Sequence, residues 1–468
     1  MGQYIVALDI GTSSIRAAAF AQDVPVCIKA LPLLPLRPQK GCSEYNADAL
    51  LSAALTVLHQ VLDEVGPERV KALGISSQRS TIVLWDKHTG QALGPILTWE
   101  DGRALEQAQQ ATISQEELHI CTGLYKTPYF SAPKIAWMLT HLPQVQAAQK
   151  NGTLCAAPVA SFLIWKLTRG AVFSTDITLA QRTLLLDIRM GKWSDKLCDA
   201  FAVSPDILPS LKSSVGDYGC YVYKGVTIPI RVCVADQQAA GSALQVGQMS
   251  INYGTGAFVL QHIGTQYRVL PGLLTSLAPS SGDSLHYLLE GPVNAAGSAF
   301  LWLNARGIKI DMSCLDDICK ESLHPLQILP ALGGLGAPYW NFTVSPAVQG
   351  VNPQTTKADW VAGLVQGICF LIADIVQYMR SHQVHVKGPI AVAGGLAQSA
   401  YLLQFQANLL QQTLLRGQEV EATLLGVARL LGNKIKQNAA DAFQPTISAE
   451  QAKELYRHWQ RFVANTIK

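Results

Sequence analysis

Charge is scarce in this 468-residue chain. Asp, Glu, Lys and Arg make up 15% of it, and 36 basic residues against 33 acidic ones leave a net charge of +3. No block of like charges occurs. That removes the electrostatic footprint of a nucleic-acid binder and of a protein held to an anionic membrane. The ten cysteines include no CxxC pair and no Cys/His cluster. The nearest two, Cys314 and Cys319, match no common metal framework. They are expected to be reduced and mostly buried, as in a cytoplasmic protein. No charged leader precedes the apolar run of "MGQYIVALDIGTSS", which reads as a first strand and not a signal peptide. The most apolar stretch, 360–379, carries Gln366, Asp374 and Gln377. It is expected to be a buried core helix and not a membrane span.

What the chain has in quantity is apolar residues, 49% of the total. That is enough for large cores, and the length calls for two domains or more. The segment "YIVALDI" reads as a strand, "GTSS" as a turn and "IRAAAFA" as a second strand. Helical spacing predicts a helix over 47–65, and others over 130–143 and 159–168. Around residue 250 the opening device returns: "MSINYGTGAFVLQHIG" is again strand, Gly-Thr turn, strand. Further on, the strand "IAVAGG" runs into a helix, and 447–468 is amphipathic with Leu455, Trp459 and Phe462 on one face. Alternating strands and helices in both halves predict an α/β fold of two duplicated units. The division falls near 240–248, giving 1–244 and 245–468, with a cleft between them where ligands bind.

Three turns suit phosphates or a nucleotide. Gly11, Thr12 and Ser13 leave backbone N–H groups and small hydroxyls at a hairpin tip, a nest for phosphate oxygens. Asp9 before them suits a magnesium ion held through water, and Arg16 after them could offset phosphate charge. Gly254, Thr255 and Gly256 repeat the turn, and the two together could clamp a triphosphate. Gly394 and Gly395 could let backbone lie against a base or ribose, with Ser399 near the following helix start. Singly, each is also an ordinary turn. Asp236 is a lone acid where the buried run "VCVA" meets the small residues of "DQQAAGSA". By itself it fits a helix N-cap.

The ordered set "DIGTSSIRA", "SSQRSTIVLWDKHTGQAL", "TGLYKTPYFSAPKIAWML", "LIWKLTRG", "ADQQAAG", "NYGTGAF", "GLGAPYW" and "GGLAQSAYLLQFQANLL" resembles the FGGY carbohydrate kinases, nearest to their glycerol-kinase branch. The resemblance spans nearly the whole chain. It implies two ribonuclease-H-like (actin-like) domains with ATP and Mg2+ between them. It also implies Asp236 as catalytic base, Arg79, Trp99, Tyr129, Gln237 and Phe258 around the substrate, and Gly297 beside the nucleotide. An Asp at its ordinary pKa of about 3.9 is ionised at neutral pH and acts more by orienting the hydroxyl than by basicity. Departures fall mainly on specificity. Ser80 stands where the branch has Glu, and Asp101 is a candidate replacement carboxylate. Ala235 stands where Gly is common, Ser399 where Asn is common, and no Arg-Gly pair follows Trp340. The expected activity is ATP-dependent phosphorylation of a terminal hydroxyl of a small polyol or ketose. A pentulose kinase acting on xylulose or ribulose is the alternative, ahead of a non-transferring actin-like ATPase or sensor. A homodimer is left open.

Overall fold

The first strand, β1 (Tyr4–Ile10), is buried along both faces, so it sits mid-sheet. A computed structural model describes residues 3–22, 24–417, 421–432 and 441–467. In it β1 pairs antiparallel with β2 (Ser14–Ala21), which pairs antiparallel with β3 (Val24–Pro32). On its other side β1 pairs parallel with β4 (Val70–Ser77). After the short β5 (Cys220–Tyr223), β6 (Val226–Ala235) pairs parallel with β4. The sheet order is β5-β6-β4-β1-β2-β3.

The second sheet repeats the scheme. β7 (Met249–Tyr253) pairs antiparallel with β8 (Ala257–Gly264). After β9 (Leu274–Leu277), β10 (Tyr287–Val293) pairs antiparallel with β8. β11 (Ile390–Ala393) runs parallel to β7, and β12 (Leu414–Arg416) parallel to β11. With β13 (Asp441–Phe443) the order is β9-β10-β8-β7-β11-β12-β13. Three antiparallel strands followed by two parallel ones therefore occur twice, as the repeated Gly-Thr turns imply. A smaller four-stranded sheet holds Ile82–Asp86 between Ile96–Leu97 and Leu154–Pro158.

Helix α1 (Ala47–Val65) buries Leu50, Val57, Leu58, Val61 and Leu62 on one face; Asn46 caps it by accepting from the Ala49 N–H. Two shorter helices, α2 (Ser131–His141) and α3 (Ile177–Gln181), precede the helix at the boundary, α4 (Asp236–Ala240). The apolar stretch around 360–379 is α5 (Lys357–Ser381), started by a Thr356–Asp359 capping box and buried in the second core. It is followed by α6 (Ala400–Leu410), α7 (Ala422–Leu430) and α8 (Ala449–Thr466). On α8, Trp459 and Phe462 are buried, whereas Leu455 is among the exposed apolar residues, so the predicted apolar face is narrower than its spacing suggests.

Helix α7 crosses between the halves. Leu424, Val427 and Ala428 of α7 pack with Ile5, Ala7, Phe20, Val232 and Val234 of the first sheet. A side chain at Gly426 would place its Cβ 1.9 Å from the Ala239 carbonyl oxygen, so only glycine lets α7 lie against α4. The ten cysteines are all free, and seven of them are buried.

Candidate functional site

The ends of β1, β4 and β6 lie side by side, since Asp9 is level with Ser76, and Ser77 with Ala235. Asp9 is almost fully buried; it accepts from Ser76 Oγ at 2.9 Å and from Arg16 Nη2 at 2.7 Å. Burial pushes its carboxyl up, against the pull of Arg16. Arg16 was expected to face phosphate. Instead its guanidinium is shared between Asp9 and Glu421, the latter at 2.7 Å, because the start of α7 brings a second carboxylate to the same spot.

The first turn keeps Gly11 and Thr12 half-buried and Ser13 exposed. Thr12 Oγ1 accepts from Trp99 Nε1 at 3.0 Å, so the turn is tied to Trp99. In the second turn Gly254 and Thr255 are exposed, and the Thr255 carbonyl accepts from the N–H groups of Ala296 and Ser298. The Gly297 N–H donates to the Gly254 carbonyl at 2.9 Å. Gly394 has φ +98°, and a Cβ there would meet the Tyr253 carbonyl at 2.3 Å; Gly395 beside it has open space. Both are exposed. Ser399 stands at the helix start, as expected: its hydroxyl accepts from the Leu402 N–H and donates to Asp316, so it caps α6.

Asp236 begins α4, and the capping position belongs to Ala235. The N-cap reading is thereby corrected. The carboxylate accepts from the next N–H, that of Gln237, at 2.8 Å. Burial raises its pKa to about 6; Arg79 lowers it, Asp9 raises it and Arg182 lowers it. It is thus ionised at neutral pH, but less easily than an ordinary Asp.

Around it stand residues expected on the substrate side. Arg79 is buried and makes a two-point pair with Glu290 of β10. Tyr129 lies near enough to Arg79, Arg182 and Asp236 to feel their charges, and its ring centroid is 5.4 Å from that of Trp99. Phe258 is half-buried on β8 opposite Pro292, two positions from the Leu260–Glu290 pair and on the same face. The Ser80 hydroxyl and the Gln237 Oε1 are buried without a protein partner, as are Ser77 Oγ and Gln78 Oε1. Buried polar atoms ordinarily have partners, so this set, flanking Arg79 and Asp236 in sequence, is suited to a ligand rich in hydroxyls. Asp101 does not join it. Its oxygens accept from the Ser43 N–H and from Arg103, so it cannot replace the missing Glu.

Sequence reading missed three residues here. Glu290 also accepts from Arg182 Nη2 at 2.5 Å and from Ser276 Oγ at 2.8 Å. Lys134 is fully buried, donates to the Ser80 and Tyr129 carbonyls, and is pulled down to about 7 by burial. Glu290 carried a signal of the same kind as Asp236, a single acid in the apolar run "YLLEGPV".

Two family models cover this arrangement. The N-terminal domain of the FGGY family of carbohydrate kinases matches residues 4–242, and its C-terminal domain matches 249–433. The chain belongs to the FGGY family of carbohydrate kinases. A glycerol kinase of Streptococcus pneumoniae serotype 19F (strain G54) is 31% identical over 99% of this chain and 98% of its own. The crystal structure of Plasmodium falciparum glycerol kinase with ADP superposes with a TM-score of 0.91 at 27% identity, covering 99% of this chain and 98% of the other. The xylulose kinase of Rhodospirillum rubrum shares the fold, with a TM-score of 0.88 at 19% identity over 99% and 98% of the two chains. This FGGY member is a glycerol-kinase-like, ATP-dependent carbohydrate kinase with two actin-like domains.

Proposed function

We propose that Asp236 orients the terminal hydroxyl of a small polyol or ketose and takes its proton as the γ-phosphoryl group of ATP arrives. The observation that carries this is the setting of Asp236. It is a carboxylate at a strand end whose one hydrogen bond among the described residues is from its neighbour's N–H, beside a set of unpartnered polar atoms and a buried arginine. Phosphoryl transfer asks the protein chiefly for alignment and charge stabilisation. Arg79, Tyr129 and Gln237 hold the substrate hydroxyls, while Phe258 and Trp99 give its carbon chain an apolar wall.

Thr12, Ser13 and Thr255 meet phosphates at the two turns. The Thr12 oxygen already accepts from Trp99, which leaves its proton to donate. Arg16 acts through Asp9, which it orients. Gly297, Gly394 and Gly395 border the nucleotide. The pair Asp9 and Asp236 suits Mg2+, which keeps several waters and needs only one or two carboxylates. Asp9 raises the cost of ionising Asp236, and a divalent cation offsets that cost. When bound it neutralises phosphate charge. Asp9 and Asp236 would hold it. We place the domain division at 244/245, between β6 and β7, and the enzyme in the cytoplasm, where its free thiols persist.

Ser80 favours a second reading within the same chemistry. Its short, unpartnered hydroxyl leaves room for a substrate longer than glycerol, such as xylulose or ribulose. A panel of glycerol, longer polyols and pentuloses with ATP, read as ADP formed, tests both. Turnover with none of them, under conditions where nucleotide binds, would overturn the proposal.

A further inference from the structure

Asp176 is fully buried and caps α3. Its Oδ1 accepts from the Leu179 N–H at 2.9 Å. Its Oδ2 accepts from the Thr178 N–H at 3.0 Å, from Thr178 Oγ1 at 2.7 Å and from Ser214 Oγ at 2.7 Å. The two hydroxyls it holds each reach a further backbone N–H. Thr178 Oγ1 accepts from Ala235 N at 2.9 Å, and Ser214 Oγ accepts from Ser280 N at 3.3 Å.

The direction of the first chain is determined. A backbone N–H can only donate, and a hydroxyl has a single proton. The Thr178 oxygen therefore takes the Ala235 N–H and gives its own proton to Asp176. Ala235 is the last residue of β6 and immediately precedes Asp236, so its N–H lies one peptide before that of Asp236. The second chain leads to Ser280, past β9 of the other half, where the Val215 N–H also donates to the Ser280 carbonyl at 2.9 Å. The Ser214 carbonyl in turn accepts from the Cys233 N–H, two residues before Ala235. One buried carboxylate thus ties the end of β6 to a contact between the halves.

We infer that Thr178 is a positioning residue for Asp236, and that Asp176 sets its hydroxyl and links the placement of the base to the seating of the second domain. The inference rests on the proposed role of Asp236. Displacing a reacting group by about 1 Å can lower turnover on the order of 100-fold, which is the scale on which such a tether matters.

The test is kinetic, on the full chain. Thr178→Val keeps the shape and removes the hydroxyl; Thr178→Ser keeps the hydroxyl. The expected result for the valine variant is kcat lower by about 10- to 100-fold, with KM for ATP and for the carbohydrate within about twofold. The serine variant should regain most of kcat. If the valine variant does not fold, Thr178→Ala serves in the same comparison. A kcat within about twofold of the parent would overturn the inference, and so would equal losses in the valine and serine variants, which would mark a packing effect. Asp236→Asn, measured alongside, separates the two claims. An inactive Asp236→Asn with an unaffected Thr178→Val overturns the tether alone, whereas an active Asp236→Asn overturns the base and the tether with it.

Discussion

Arg79 and Glu290 join the two halves in a buried two-point pair, Nη1 to Oε2 at 2.9 Å and Nη2 to Oε1 at 3.0 Å. Arg79 follows β4 of the first sheet, and Glu290 belongs to β10 of the second. Arg182 shares the same carboxylate, so one acid faces two guanidiniums. Despite full burial, the two arginines hold the Glu290 carboxyl far below the usual range. Arg79 is therefore aimed by a strand of the second sheet.

Glu290→Gln should lower stability by about 3–5 kcal/mol, because it leaves two buried cations without their anion. It should also raise KM for the carbohydrate more than KM for ATP, since Arg79 loses its fixed fork. Chemical denaturation and two-substrate kinetics check both. Equal changes in the two KM values would show that the pair serves the fold and not the pocket.

Asp236→Asn should retain nucleotide binding and lose transfer by about 100- to 10,000-fold, the range for a positioned acid or base. In the parent enzyme kcat/KM should rise with pH as Asp236 ionises and then level off, with a midpoint moved below about 6 by bound Mg2+. Calorimetric nucleotide titration and a pH–rate profile provide the check. Near-normal turnover of the asparagine variant would remove Asp236 from the mechanism.

The elements that follow from local pattern were legible in the sequence. α1 has the predicted limits because its apolar spacing, its cap and Gly66 all act within one segment. The two strand–turn–strand units declare themselves for the same reason. What could not be read is pairing over distance. Glu290 lies 211 residues from Arg79 and 108 from Arg182, and Glu421 lies 405 from Arg16. An acid in an apolar strand announces that it needs a partner but not which one. Asp101 failed in the opposite sense: a carboxylate that looked available is held by Arg103, two residues away.

Ser80→Glu should raise the use of glycerol relative to ketoses, by filling the space beside Arg79 and adding an acceptor for short-chain hydroxyls. Ser80 has φ +59° and its carbonyl accepts from Lys134, so the backbone at this point is held while the side chain changes. The ratio of kcat/KM values for glycerol and a pentulose is the measurement. An unchanged ratio would mean that residue 80 does not set specificity.

Away from the cleft, Asp374 on α5 offers a test of the second core. It accepts from Tyr339 Oη and Trp459 Nε1 through Oδ2, each at 2.9 Å, and from Tyr456 Oη through Oδ1 at 2.7 Å. The acid thus pins α8 and the segment around Tyr339 to α5. Burial raises its pKa to about 6, and the three donors only partly offset this. Below about pH 4 the carboxyl is protonated in both the folded and unfolded chain. Between about 4 and 6 the folded chain binds the proton more tightly, so stability falls as pH rises, and above 6 the loss is complete. A shift of about two units corresponds to about 3 kcal/mol. Asp374→Asn keeps the shape: its oxygen can serve Tyr339 and Trp459, and its amide can donate to the Tyr456 oxygen. The variant should therefore gain on the parent as pH rises from 4 to 6 and hold that gain above it. Thermal unfolding of both proteins across pH 4–8 reads the difference directly. A constant offset would mean that the Asp374 carboxyl does not change charge within the fold.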